Sequence, residues 1–90
     1  MTSRTVTVEN PSGIHARPAS VFVQRAAAFS SEVKVRDVTK GGEPKDAKSI
    51  LMVMSLGIAC GDEVEIAAEG DDAEAAVDAL VTLVESGCGE

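Results

Sequence analysis

The chain has 90 residues, 44% of them apolar and 2% aromatic, and a formal net charge of −7. This length allows one domain over residues 1–90, with a core built from aliphatic side chains. An acidic chain without Trp, Tyr or a basic run is a poor binder of nucleic acid and of membrane surfaces.

The N-terminal part of the sequence predicts a strand and then a helix. Residues 4–9 alternate between polar and apolar, with Val6 and Val8 on one face, as in a half-buried strand. Turn-forming residues follow, and apolar residues then recur at helical spacing over residues 16–29. The helical stripe consists of Ala19, Phe22, Val23, Ala26 and Phe29.

Two further strands are predicted next. Residues 32–36 alternate, which places Val33 and Val35 inward. Residues 40–44 contain Gly-Gly and Pro44 and predict a turn into a short third strand over residues 45–47.

Residues 49–56 predict a short second helix, with Ser49 as its N-cap and Gly57 ending it in a left-handed conformation. This helix is apolar on nearly every side. Full burial and an exposed interaction surface both explain that composition. In a chain of this size we expect one side to face solvent, and its methionines suit contact with more than one partner.

The C-terminal part predicts a strand over residues 63–68 and a last helix that ends at Gly87. Asp71 is the predicted N-cap of this helix, with Glu74 three residues later. The inward residues are Val64, Ile66 and Ala68 in the strand and Ala73, Val77, Leu80, Val81 and Val84 in the helix.

The order β-α-β-β-α-β-α predicts an α/β (α+β) open-faced sandwich. In this fold a four-stranded antiparallel sheet has three helices on one face, because each strand has one apolar side to cover. A crossover from the first strand to the second leaves room for the fourth strand between them.

Residues 13–19, Gly-Ile-His-Ala-Arg-Pro-Ala, form the candidate functional segment and hold the only histidine. His15 stands where the first helix begins, and free N–H groups and the positive end of the helix dipole favour an anion there. Arg17 adds a planar cation, and a neutral imidazole is a nucleophile. From the residues alone, His15 fits either a phosphoryl acceptor or a solvated loop side chain.

The segment 13–19, with Ser49-Ile50 and Ser55-Leu56-Gly57-Ile58 downstream, resembles HPr, the histidine-containing phosphocarrier family of the bacterial sugar phosphotransferase system. The resemblance covers essentially the whole chain. It implies that His15 accepts a phosphoryl group from phosphorylated enzyme I and passes it to the A component of a sugar permease.

The resemblance also implies how the site is built. Arg17 and the backbone N–H groups of Ala16 and Arg17 would hold the phosphoryl oxygens, and Ile50, Leu51 and Met54 would belong to a partner-docking surface. We expect a cytoplasmic monomer that is a carrier and not a free-standing catalyst, with no metal or organic cofactor, no nucleic-acid partner and no membrane insertion.

The alternative is a regulatory binding module. In Gram-positive relatives the serine that matches Ser49 is phosphorylated by an ATP-dependent kinase, and such a module would dock to an HPr kinase or a transcriptional regulator. Met52 departs from the family here, because many regulated members have Gly at that position, and this departure bears on recognition by the kinase.

The two cysteines have neither CxxC spacing nor a second histidine for a metal site. We expect Cys60 to be a partly buried loop residue, Cys88 to be a tail thiol, and both to be reduced.

Overall fold

The computed structural model describes residues 2–9 and 16–86. Its elements are β1 (Thr2–Thr7), α1 (Ala16–Ala27), β2 (Glu32–Asp37), β3 (Lys45–Asp46), α2 (Ile50–Ser55), β4 (Glu63–Glu69) and α3 (Ala73–Glu85). The predicted order is confirmed. The predictions for His15, Gly87 and Cys88 lie outside the described residues.

The four strands form one antiparallel sheet in the order β1-β4-β2-β3. Strand β4 lies between β1 and β2, with Val6 opposite Val64 in one pair and Val35 opposite Ile66 in the other. The fourth strand therefore occupies the place that the crossover through α1 leaves open, as predicted.

One face of this sheet is buried and the other faces solvent. Along β2 and β4 the buried residues alternate with more exposed ones, and the buried set consists of Val33, Val35, Asp37, Val64, Ile66 and Ala68. Helix α1 covers this face with Ala19, Phe22 and Ala26, and α3 covers it with Ala73, Ala76, Val77, Leu80, Val81 and Val84. The open-faced sandwich with its helices on one face is confirmed.

The N-cap of α3 is Asp72, so the prediction of Asp71 was wrong. The Asp72 carboxylate makes no hydrogen bond to its own helix. It accepts the backbone N–H groups of Ser30 and Ser31, each at 2.9 Å, and both serine hydroxyls. These donors, the Ser31 hydroxyl foremost, lower the pKa of Asp72 to about 2. The carboxylate is thus used to hold the loop between α1 and β2.

Gly70 makes this contact between the two loops feasible. Its φ is +145°, and a Cβ at this position would lie 2.6 Å from Ser31 Oγ and 2.9 Å from Ser31 Cα. A larger residue would therefore force the loop that carries Ser31 away from Asp72.

Two smaller expectations also need correction. Helix α1 ends at Ala27, so Phe29 lies in the following loop, where it is partly buried against the core. Cys60 is exposed and not partly buried; it lies in the turn before β4, and its Sγ is 3.7 Å from the Glu9 carbonyl oxygen.

Candidate functional site

The N-terminal end of α1 is the first part of the candidate site. The helix begins at Ala16, and Arg17 in its first turn is exposed, whereas Pro18 is buried. The first N–H groups of a helix have no partner within it and carry the positive end of its dipole. Arg17 is the one charged side chain in residues 16–19, so this helix end is cationic. His15 directly precedes Ala16 and lies outside the described residues, so its role stays a prediction.

Helix α2 is the second part, and its ends are built as predicted. The Ser49 hydroxyl accepts the Met52 N–H at 3.4 Å, and the Ser49 carbonyl accepts the Val53 N–H at 3.0 Å. After Leu56, Gly57 has a φ of +61°, the left-handed conformation that ends a helix. The Ser49 hydroxyl is therefore used as a helix cap, and Ser49 is half-buried.

The apolar side chains of α2 face solvent. Ile50 is 39% exposed, Leu51 79%, Met52 43% and Met54 44%, and we call these four residues the α2 patch. Val53 is the one buried residue among the six of this helix. Full burial is therefore excluded as an explanation of the helix's composition.

Met52 belongs to the α2 patch but was not predicted to be part of a docking surface. A two-turn helix that contacts the core through a single position exposes nearly all its other residues, and this rule could have identified Met52 from the sequence. Exposed apolar side chains gathered on one helix are typical of an interaction surface.

A lysine holds the segment before α2 against α1. The Lys48 ammonium donates to the Phe29 carbonyl oxygen at 2.8 Å, just beyond the C-terminal end of α1. Helices α1 and α2 also contact each other directly. The cationic end of α1 and the α2 patch are thus parts of one packed pair of helices.

The described residues contain neither a cluster of metal-binding side chains nor a membrane-spanning helix. Across residues 2–9 and 16–86, no three His, Cys, Asp or Glu side chains converge as metal ligands do. Within the same residues, no helix combines the length and apolar content needed to cross a membrane.

Comparison with known proteins decides the family. The family described as "PTS HPr component phosphorylation site" matches residues 2–86. The chain belongs to this HPr family. The resemblance drawn from residues 13–19 is thereby confirmed at the level of the family.

Curated relatives and solved structures agree with this assignment. The chain is 45% identical to the phosphocarrier protein HPr of Mycoplasma pneumoniae over 80 residues, which are 89% of each protein. It is 41% identical to HPr of Treponema pallidum, covering 96% of this chain and 94% of that protein. The crystal structure of HPr-C-His from Thermoanaerobacter tengcongensis superposes with a TM-score of 0.92 at 48% identity, covering 100% of this chain and 98% of that one.

Two other kinds of relative bear on function. The HPr-like protein Crh of Halalkalibacterium halodurans is 39% identical over 94% of this chain and 98% of that protein. The multiphosphoryl transfer proteins of Vibrio cholerae and Haemophilus influenzae are 37% and 34% identical, and the chain spans 22% and 17% of their lengths.

Proposed function

We propose that the chain is a phosphocarrier of the bacterial phosphotransferase system. In this proposal His15 accepts a phosphoryl group from phosphorylated enzyme I and donates it to the A component of a sugar permease. The observation that carries the proposal is the match of residues 2–86 to a family described by its phosphorylation site. The cationic, exposed N-terminal end of α1 supports it.

The chemistry of acceptance needs one nucleophile and a set of donors. A lone pair of the neutral His15 imidazole attacks the phosphorus atom of the donor's phosphohistidine, the donor's P–N bond breaks, and the donor imidazole leaves with that electron pair. The family resemblance assigns the new bond to Nδ1 of His15. In donation a nucleophile of the A component attacks the phosphorus atom, the P–N bond to His15 breaks, and His15 leaves with that electron pair, so no oxidant, reductant or cofactor is consumed.

Charge stabilisation in this proposal comes from the start of α1. The Arg17 guanidinium and the backbone N–H groups of Ala16 and Arg17 would donate to the three phosphoryl oxygens. Such donors lower the barrier because they are already in place when charge develops in the transition state. The exposure of Arg17 also leaves room for a second protein to bring its own histidine close.

Docking is assigned to the α2 patch. Its exposed apolar side chains would be covered by enzyme I and later by the A component, and its methionines can adapt to both.

We propose a cytoplasmic monomer. A crystal structure of an HPr dimer from Thermoanaerobacter tengcongensis matches this chain with 48% identity and a TM-score of 0.76. The mass of the protein in solution should therefore be measured.

A regulatory module is the second candidate, and it is favoured by the similarity to Crh and by the place of Ser49 at the start of α2. In this alternative the chain acts by docking to a kinase or a transcriptional regulator after phosphorylation of Ser49. It predicts no uptake of phosphoryl groups from enzyme I.

Incubation with phosphoenolpyruvate and enzyme I separates the two candidates. The carrier should acquire an acid-labile, base-stable phosphoryl group, and the variant His15→Ala should acquire none. We expect His15 at the surface, where a substitution usually changes stability by less than about 0.5 kcal/mol, so both proteins should melt alike. Uptake by the variant would exclude His15 as the acceptor, and no uptake by the parent chain would favour the regulatory module.

A further inference from the structure

A lysine ammonium lies at the C-terminal end of α2. Lys40 lies in the turn after β2, and its Nζ donates to the carbonyl oxygen of Gly57, just beyond the α2 cap. The same Nζ lies 3.1 Å from Asp62 Oδ2 and 3.7 Å from Asp37 Oδ2. We call Lys40, Asp37 and Asp62, together with the Gly57 carbonyl, the Lys40 cluster.

Each carboxylate of the Lys40 cluster also accepts a hydrogen bond from a backbone N–H group. Asp37, whose side chain is 1% exposed, accepts the Lys40 backbone N–H at 3.0 Å through Oδ1. Asp62, whose side chain is 12% exposed, accepts the Ala59 N–H at 3.1 Å through Oδ2. The two carboxylates are therefore held in place by the backbone, and the ammonium lies against both of them.

The pair of carboxyls needs this cation. Two ionised carboxylates can only accept hydrogen bonds, so Asp37 and Asp62 cannot donate to each other in that state. In the part of the chain that the structure describes, the buried Asp37 Oδ2 then has no hydrogen-bond partner. Burial raises the pKa of Asp37, and a hydrogen bond shared with Asp62 raises it further. The same hydrogen bond lowers the pKa of Asp62. The Lys40 ammonium, 3.1 Å from Asp62 Oδ2 and 3.7 Å from Asp37 Oδ2, supplies the positive charge that faces this pair.

Helix α2 in turn needs external support. It has six residues and buries only Val53, whereas isolated helices shorter than about 12 residues are marginal in water. Its last carbonyl groups have no partner inside the helix and carry the negative end of the dipole. The Lys40 ammonium, bonded to the Gly57 carbonyl just beyond the cap, places a positive charge near this negative end and joins it to the turn after β2.

We propose that Lys40 is a positioning residue for partner docking: its ammonium, held by Asp37 and Asp62, fixes the C-terminal end of α2 and so orients the α2 patch. Only the use of this patch in docking rests on the proposed function. Lys40 need not touch the phosphoryl group, and its loss should lower the fraction of molecules whose patch is correctly placed.

The test compares Lys40→Met with Lys34→Met. Both variants lose one positive charge and keep an unbranched side chain. Lys34 is a matched control because it is 43% exposed, against 48% for Lys40, and pairs with Glu32 at 3.5 Å on the solvent face of the sheet. Lys40→Arg keeps the charge at the cluster and serves as the rescue variant.

The hydrogen-exchange rates of backbone N–H groups show whether the end of α2 is held in place, and this measurement needs no partner protein. In Lys40→Met, the N–H groups of Leu56 and Gly57, which bond to Val53 and Met54 carbonyls, should exchange about tenfold faster. Lys34→Met should exchange at the parent rate, and Lys40→Arg should recover most of the protection. Unchanged exchange in Lys40→Met would overturn the proposal.

The KM and kcat of phosphoryl transfer measure the effect of Lys40 on docking. With phosphorylated enzyme I as donor, Lys40→Met should raise KM about three- to fivefold and leave kcat within about twofold, since the reacting atoms are unchanged. A fall in kcat at constant KM, or an equal change in Lys34→Met, would contradict a positioning role.

The two proposals fail in different ways. If the parent chain accepts no phosphoryl group, the proposed function fails, while hydrogen exchange still decides whether Lys40 holds α2. If Lys40→Met does not fold, Asp62→Asn decides the matter, because it keeps an oxygen for the Ala59 N–H and removes the shorter of the two ion pairs of Lys40. It should show the same exchange pattern at reduced size, and parent-like exchange in that variant would refute the proposal.

Discussion

Leu51 offers a quantitative test of the α2 patch because it is 79% exposed, more than any other residue of the patch. Burying a whole leucine side chain stabilises by about 1.5–3 kcal/mol. In Leu51→Ala only a methyl group is left for the partner to cover, so binding should weaken by about 1–2 kcal/mol. At about 1.4 kcal/mol per factor of ten, affinity for enzyme I should fall about 5- to 30-fold. Calorimetric titration of enzyme I with each protein measures this.

Val53→Ala is the matched control on the same helix. Val53 is fully buried, so this change should lower the free energy of unfolding by about 2 kcal/mol, whereas Leu51→Ala should change it by less than about 0.5 kcal/mol. Denaturant unfolding measures both values. The reasoning is refuted if Leu51→Ala binds enzyme I as tightly as the parent while Val53→Ala is destabilised as expected.

Three further predictions follow from the site and the fold. Arg17→Ala should keep the fold and slow phosphoryl transfer roughly tenfold or more by removing a donor; an unchanged rate across several salt concentrations would make Arg17 a bystander. Ser49→Asp should keep or raise the melting temperature, because a negative charge suits a helix N-terminus, and should slow phosphorylation of His15 by repulsion; equal rates at low salt would leave Ser49 as a cap alone. Asp72→Asn should be less stable than the parent at neutral pH. Because the pKa of Asp72 is lowered to about 2, the stability that its ionised form supplies is present above its ordinary value of 3.8 and is lost as the pH falls towards 2. Unfolding curves of the two proteins should therefore converge over that range, and a constant gap would contradict the assignment.

Local rules were sufficient to predict the element order and both ends of α2. Alternation in the strands and helical spacing in α1 and α3 identify which side of each element is apolar, and one sheet with helices on one face is the economical way to bury those sides. Ser49 and Gly57 are recognisable because capping depends on neighbours within four residues. The exposure of α2 followed from chain length, which sets how much surface a small core can cover.

Contacts between distant segments could not be predicted in this way. Asp71 and Asp72 are equivalent as local capping signals, and the choice between them depends on Ser30 and Ser31, about forty residues earlier in the chain. Similarly, the sequence places Lys40 in a turn, and nothing near it indicates that its ammonium reaches Gly57. Such pairs form only when the sheet brings their loops together.

Asp37 was accessible to sequence reasoning and was missed. The alternation that places Val33 and Val35 inward continues to residue 37, so one more step of the same pattern would have predicted a buried carboxyl. A buried carboxyl is costly unless it is paired, which would have prompted a search for a cation such as Lys40.

The most direct test of the carrier account is the fate of the phosphoryl group after it reaches His15. The phosphorylated chain is purified away from enzyme I and phosphoenolpyruvate and mixed with the unphosphorylated A component of a sugar permease, and the label is followed on both proteins. A carrier should transfer the label to the A component and be recovered unmodified, able to accept again. Label that stays on the chain, or leaves it only as inorganic phosphate, would contradict the account.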